Sequence, residues 1–314
     1  MVKTKPRSKP AAPISNKEQP AKQTKRQTAP APSSKSRALA TIPTRKAGTL
    51  STNVINFAED ARMGQENMTP QDYAIPRIAI LQDLSPQVLK RDERYIEGAE
   101  VGDICDVVSN VLYSGEEGIL VIPVSYRRAY TEWVPRSKGG GFVADRTPVG
   151  DAGEREWQKF RASCEQGEKG LLITPAGNEL RQSAEYFVFL IDGKTGEYQP
   201  FVLNMGGTQL KKSRRWNTMM NQLKIEYNGQ RINPAMFYRS YRLTTVPERN
   251  DQGTWMGWQI TPADDVVSLP NGEQTYLDAK EFRKSVQSGK VSAAAPVSPE
   301  DSGPAGVAGD DEPM

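Results

Sequence analysis

Hydrophobic residues are concentrated in the middle of the chain, where most of them follow the two-residue period of β-strands. Apolar or alternating runs predict strands at residues 104–113, 119–126, 130–134, 185–191, 198–205, 235–246 and 254–261. Asp192-Gly193, followed by Gly196, predicts the hairpin turn between two of these runs. Pro123 cannot donate a ladder hydrogen bond, so it predicts a sheet edge or a bulge.

Three other segments have features typical of helices, at residues 155–166, 208–223 and 276–286. In the second of them, Thr208 is a candidate N-cap. The glycine- and proline-rich residues 136–154 predict a loop. Strands outnumber helices, so the predicted fold class is α+β. We expect an antiparallel β-rich core, an OB-like barrel or a related sheet, with two or three helices.

The two ends of the chain differ from this middle in composition and charge. The first 50 residues contain twelve Lys or Arg and one acid, a net charge of +11. The last 22 residues contain five acids and no basic residue, which leaves −3 for the middle of a chain whose total is +3. Segments this poor in apolar residues cannot bury enough apolar surface to offset the conformational entropy that they would lose on folding. The predicted organisation is a basic disordered arm and linker (1–67), a β-rich nucleic-acid-binding core (68–290) and an acidic disordered tail (291–314).

Composition excludes several classes of protein. No run approaches the roughly 20 apolar residues that a membrane span needs, so no membrane partner is expected. The basic N-terminus has no apolar region typical of a secretory signal. Two cysteines without metal-ligand spacing exclude a disulfide scaffold and indicate a reducing cytoplasm. The chain has no histidine, which removes imidazole-based catalysis and histidine metal ligands. We therefore expect no enzyme activity, no cofactor and no metal.

A basic amphipathic helix is the first candidate binding element. At about 100° per residue, Lys211, Arg214 and Arg215 share one face of segment 208–223, whereas Trp216 and Met220 share another. The apolar face would pack on the sheet, and the three cations would face phosphates. An ordinary solvated helix face with a core stripe is the alternative.

Two further segments alternate aromatic and cationic residues. One contains Tyr238, Arg239, Tyr241 and Arg242, whose side chains alternate between the two faces of a strand. The other leads into a glycine run and contains Tyr126, Arg127, Arg128, Tyr130, Trp133 and Arg136. Stacking rings beside cations suit single-stranded nucleic acid. The alternative for the first segment is cross-strand packing in the core. The alternative for the second segment is a flexible hairpin.

Several stretches resemble a family of small tailed-phage proteins from DNA-replication regions. They include Ile75-Pro76-Arg77-Ile78, Glu132-Trp133-Val134-Pro135-Arg136 and Gly253-Thr254-Trp255-Met256-Gly257-Trp258, and the resemblance covers about residues 73–285. It implies single-stranded DNA binding and carries no catalytic motif. The long basic arm departs from the shorter, more acidic N-termini of the family.

The leading hypothesis is therefore a phage single-stranded DNA-binding protein that supports replication or recombination in the host cytoplasm. Six cations would contact phosphates, namely Lys211, Arg214, Arg215, Arg127, Arg128 and Arg136. Bases would stack on Tyr126, Tyr130, Trp133, Tyr238 and Tyr241. The acidic tail would compete for the basic surface or recruit phage replication proteins. The alternatives are an adaptor or inhibitor of host machinery, a ring-forming strand-annealing protein, and a nuclease using Asp264 and Asp265.

Overall fold

The structure is a computed structural model that describes residues 59–294, except residues 62, 70–71, 73, 168–170 and 251–252. The predicted basic arm up to residue 58 and the acidic tail beyond residue 294 lie outside the described residues. None of the helices in the described part of the chain is long and apolar enough to span a membrane.

Fifteen strands and three α-helices make up the described core. The strands are β1 (Ala74–Ile75), β2 (Arg77–Ile80), β3 (Ile104–Asp106), β4 (Leu112–Tyr113), β5 (Ile119–Trp133), β6 (Phe142–Asp145), β7 (Glu165–Gln166), β8 (Leu172–Ile173), β9 (Glu179–Ile191), β10 (Tyr198–Gly206), β11 (Ile225–Tyr227), β12 (Gln230–Ile232), β13 (Arg239–Asn250), β14 (Gly253–Asp265) and β15 (Ser292–Ala293). The helices are α1 (Gly150–Ala162), α2 (Leu210–Gln222) and α3 (Gly272–Gln287).

One curled, mostly antiparallel sheet organises the fold. Its order is β14-β13-β5-β9-β10-β2-β3-β4, with β6 beside β5, β8 beside β9, and β7 beside β8. Strand β2 pairs with β10 in the parallel direction, and the other pairs of this sheet are antiparallel. The predicted α+β class with an antiparallel β-rich core and three helices is confirmed. With eleven strands in the described residues, the sheet is larger than a five-stranded OB barrel.

Strand β9 divides the core into two layers because successive side chains point to opposite faces of a sheet. Tyr186 lies under α2, where its ring is 4.5 Å from the ring of Trp216. Phe189, on the opposite face, lies under α3 with its ring 5.2 Å from the ring of Phe282. Each helix buries an apolar stripe, and this burial holds α2 and α3 on opposite sides of the sheet.

Several predicted boundaries are wrong in ways that have local causes. Segment 104–113 forms two short strands because Asn110, with φ 58°, turns the chain between them. Segments 119–126 and 130–134 form one continuous strand, β5. The predicted irregularity at Pro123 is confirmed as a bulge in a buried strand, where the register with β9 shifts between Pro123 and Ser125.

Helix starts and one strand start also differ from the prediction. Thr208 does not cap α2, because the chain first makes a 3-10 turn at Gly207–Gln209 and its hydroxyl has no partner in the described residues. Segment 235–246 likewise begins with a 3-10 turn, Met236–Tyr238, before β13. The predicted loop 136–154 contains β6 and the first residues of α1.

Candidate nucleic-acid interface

The solvent side of α2 is the most strongly cationic helix surface in the described chain. The helix contains four basic residues and no acid, and Trp216 is fully buried beneath it. Lys211, Arg214 and Arg215 are exposed on the opposite side. Lys211 and Arg215 have no ion pair with any described residue, whereas Lys212 lies 2.5 Å from Glu248. The helix thus presents three cations to solvent in the arrangement that its sequence predicts.

Tyr126 on β5 is linked to α2 by Tyr186, its cross-strand neighbour, which contacts both. The two residues are directly opposite each other in the ladder, and their rings are 5.1 Å apart. The Tyr186 hydroxyl donates to Asn217 Oδ1 at 2.9 Å and lies 2.7 Å from the Ser213 hydroxyl, both on α2. Burial raises the pKa of Tyr186, so its phenol stays a neutral donor. Tyr186 therefore links β5 to α2, although these two elements are far apart in sequence.

Arg128 extends the cationic surface onto the sheet. Positions 126, 128 and 130 share one face of β5, because the register with β9 is continuous there. The side chain of Arg128 is exposed, and hydrogen bonding to Tyr130 raises the pKa of its guanidinium. Tyr130 in turn stacks on Trp157 of α1, with ring centroids 4.0 Å apart.

These contacts define a strip of sheet between two helices. Helix α1 lies over Tyr130 and helix α2 lies over Tyr186, and both are on the same face. Tyr126 is 39% exposed between them, and Gln182 of β9 is exposed in the same row. We call this strip, with the solvent side of α2, the α2 surface. The α2 surface therefore contains one partly exposed ring, that of Tyr126, and four exposed cations, Lys211, Arg214, Arg215 and Arg128.

Two of the predicted nucleic-acid-binding arginines form ion pairs with acids of the protein instead. Arg127 lies on the other face of β5, where it forms an ion pair with the buried Glu185 and its guanidinium lies 5.3 Å from the Phe187 ring centre. Arg77 makes a second ion pair with Glu185 at 2.9 Å. Arg239 pairs with Asp265 at 2.8 Å, and Asp265 also accepts the Tyr238 hydroxyl. These groups stabilise the fold, so Arg127, Arg239 and Tyr238 are not part of the α2 surface.

Three of the predicted stacking residues are buried. Tyr130, Trp133 and Tyr241 are 6%, 1% and 2% exposed. The Tyr241 ring packs edge-on against Trp216 at 5.5 Å. The Trp133 ring packs against Phe142 of β6 at 5.5 Å. A ring inside the core offers no face to a base. Packing, the alternative kept open for the segment of Tyr241, describes that residue, and Tyr130 and Trp133 are core residues as well.

Arg136 and Arg242 are exposed, and neither of them belongs to the α2 surface. Arg242 donates to the Glu117 carbonyl at 3.2 Å and pairs in register with Leu120, whose side chain packs in the cluster under α3. Arg136 begins the 3-10 turn Arg136–Lys138 beyond the far end of β5. The glycines that follow, Gly139-Gly140-Gly141, have φ values of 104°, 68° and 125°. These values suit glycine and disfavour other residues, so the run shapes a turn.

The described residues contain no group of three histidine, cysteine or acidic side chains that could hold a metal ion. Asp265, one of the two acids of the nuclease hypothesis, is engaged by Arg239 and Tyr238. Cys105 and Cys164 are free thiols, and burial raises the pKa of Cys164.

Sequence reasoning missed two parts of this region. Tyr186 and Gln182 lie in or beside a strongly apolar strand, and their pattern alone does not show which of them reaches a helix. The hairpin β11–β12 follows α2 directly, and its turn is Asn228-Gly229. An Asn-Gly pair between short alternating segments is a strong hairpin signal, so this hairpin could have been predicted from the sequence.

Comparison with known proteins identifies a family. No curated protein and no solved structure matches the chain. The family model described as Pam3 phage gp34-like protein matches residues 45–292, which include every described strand of the large sheet and all three helices. The chain therefore belongs to the Pam3 phage gp34-like family, a family of phage proteins.

Proposed function

We propose that this phage protein binds single-stranded DNA during replication or recombination of the phage genome. The observation that carries the proposal is the α2 surface, where Lys211, Arg214 and Arg215 lie on an acid-free helix next to Tyr126 and Arg128. Binding of single strands without sequence readout combines cations that follow the backbone with aromatic rings on which bases stack. The α2 surface supplies both kinds of group.

The fold supports this proposal by holding the cations in place. Trp216 and Met220 anchor α2 in the core, and Tyr186 bonds its middle turn to the sheet. The cations on a docked helix lose less freedom on binding than those on a flexible segment, so more of their attraction for phosphate is realised. Arg128 on the neighbouring strand would contact a phosphate of the same DNA strand.

The two ends of the chain would have supporting roles. With a net charge of +11 against −5, the arm would tether the protein to DNA without sequence preference, and the tail would compete for the basic surface or recruit phage replication proteins. Such a protein would work in the host cytoplasm, where phage DNA is copied. We propose no catalytic step and no cofactor.

A salt titration of DNA binding tests the proposal directly. The full-length chain should bind an oligothymidine more tightly than a duplex of equal length. The logarithm of its affinity should fall with the logarithm of salt concentration at about −0.7 for each neutralised phosphate. Four contacts from the α2 surface predict a slope of about −3 or steeper. Absence of binding at low salt, or a flat response to salt, would contradict the proposal.

A further inference from the structure

The hairpin β11–β12 projects from the end of α2 and pairs with no other strand of the described chain. Asn228 and Gly229, with φ values of 50° and 73°, form its tight turn. Tyr227 stands next to this turn and is 62% exposed, the largest value among the exposed aromatic residues. An isolated two-stranded hairpin is only marginally stable in water. The exposed ring of Tyr227 adds little to its stability, which suggests a role in binding.

The two faces of the hairpin differ in chemistry. Ile225 is opposite Ile232, and Tyr227 is opposite Gln230, so these four residues share one face. Glu226 is opposite Arg231 on the other face, where the two charges face each other across the strands. The ring of Tyr227 therefore belongs to a face without charge, while the opposite charges of the hairpin are placed together away from it.

The hairpin is connected to the α2 surface at its base. Asn233 Nδ2 donates to the Asn221 carbonyl at 3.0 Å and to Asn221 Oδ1 at 3.2 Å, which ties the end of β12 to the last turn of α2. Lys224 is exposed between the two elements. With a rise of about 1.5 Å per residue, Arg215 lies about 10 Å along the axis from the end of the helix. Lys224 thus lies between Arg215, the last cation of α2, and the hairpin that carries Tyr227.

We infer that Tyr227 is a second base-stacking residue, in addition to Tyr126 of the α2 surface, and that it contacts an unpaired base of the DNA strand whose phosphates lie along α2. This inference rests on the proposed function and adds the reason why single strands would be preferred over duplexes. Bases in a duplex are stacked on each other, so a ring at the hairpin tip finds a free base face only in a single strand.

The size of the apolar face favours a base over a protein partner. A stable protein–protein interface buries about 800 Å² on each partner around an apolar centre. The exposed large apolar side chains of the hairpin are Tyr227 and Ile232, which cannot form such a centre. A single base needs one aromatic ring, and the cations of α2 and Lys224 supply the attraction for its phosphate.

The experiment compares intact and base-free DNA across three variants of the full-length chain. The probes are a labelled oligothymidine of about 20 nucleotides, longer than the roughly 4–16 nucleotides of known single-strand sites, and an abasic strand of equal length. The variants are Tyr227→Ala, Tyr227→Phe, which keeps the ring, and Phe142→Ala. The last one truncates another exposed aromatic residue, at 38% exposure on β6.

We expect Tyr227→Ala to lower affinity for oligothymidine roughly 5- to 150-fold, the range that corresponds to the stacking of one base on an aromatic ring. Tyr227→Phe and Phe142→Ala should bind like the wild type. On the abasic strand, Tyr227→Ala should equal the wild type, because there is no base to stack. Photocrosslinking of an iodouridine-containing oligonucleotide should modify Tyr227.

Two results would overturn the inference while the proposed function stands. One is unchanged oligothymidine affinity of Tyr227→Ala, and the other is an equal loss on the abasic strand. If the wild type binds neither strand, the proposed function itself fails. Thermal unfolding of Tyr227→Ala should match the wild type, since the exposed ring makes no core contact.

Discussion

Helices α2 and α3 pack on opposite faces of one sheet and differ in how their charges are arranged. Helix α3 carries three basic and three acidic residues, and Lys284 pairs with Glu281 at 2.6 Å. Helix α2 carries four basic residues and no acid. A helix with interspersed charges has little net attraction for a polyanion, whereas α2 presents three cations to solvent and contains no acid. The segregation of charge therefore distinguishes α2 from an ordinary solvated helix.

The arginines of the sheet show the same distinction. Arg127 and Arg239 belong to segments that alternate aromatic and cationic residues, yet each is paired with an acid on a neighbouring strand. The charges of these two arginines are compensated by acids of the protein itself. Arg128, one residue from Arg127, points to the other face and remains exposed beside α2. The position of a cation relative to acids in the fold thus determines whether its charge is available to a polyanion, such as the DNA of the proposed function.

The largest expected effect comes from removing the anchor of α2. Trp216→Ala deletes a fully buried side chain that contacts Tyr186 and Tyr241, and we expect a loss of about 3–5 kcal/mol in the free energy of unfolding. Phe282→Ala on α3 should cost less, because Phe282 is only partly buried. Urea unfolding of both variants measures the difference. Equal losses would mean that α2 is docked no more firmly than α3.

A smaller effect is expected where an acid holds a cation. Glu132 is buried and accepts hydrogen bonds from Arg146 at 2.8 Å and from Asn178 at 2.7 Å. Burial alone would raise the pKa of Glu132, but these bonds outweigh it, and the pKa lies below its ordinary value. Glu132→Gln should cost about 1–3 kcal/mol of unfolding free energy at pH 7.

The pH dependence of that variant follows from the direction of the shift. A depressed pKa stabilises the folded state above the ordinary glutamate value of about 4.5, and the contribution is lost as the pH falls through the lowered value. The difference in unfolding free energy between wild type and Glu132→Gln should therefore shrink between pH 7 and pH 3. A difference that stays constant over this range would contradict the role given to Glu132.

Features of the fold and of the α2 surface could be predicted from the sequence where they depend on residues close together in the chain. The faces of α2 follow from a period of about 3.6 residues, so the exposure of Lys211 and Arg215 was predictable. The burial of Tyr241 was not, because alternation in a strand separates two faces without telling which one a helix covers. The pairing of Arg239 with Asp265 joins positions 26 residues apart, which local pattern does not reveal.

The smallest effect should be a gain. Glu248 is the acid that pairs with Lys212, and it also accepts hydrogen bonds from Gln209 and Trp255. Glu248→Gln keeps the shape of the side chain and removes its charge, so Lys212 becomes available to phosphate. We expect DNA affinity to rise about 2- to 5-fold, as for one exposed ion pair. Unchanged or lower affinity in a variant that unfolds like the wild type would show that Lys212 lies off the DNA path.

The central claim, that α2 and not net charge binds DNA, is tested by removing the same number of cations from each helix. Lys211→Gln, Arg214→Gln and Arg215→Gln together form one variant of the full-length chain. Lys280→Gln, Arg283→Gln and Lys284→Gln, three exposed positions of α3, form the matched control. The slope of log affinity for oligothymidine against log salt should become shallower by about 2 in the first variant, and should stay at the wild-type value in the second. Equal changes in both variants would contradict the claim.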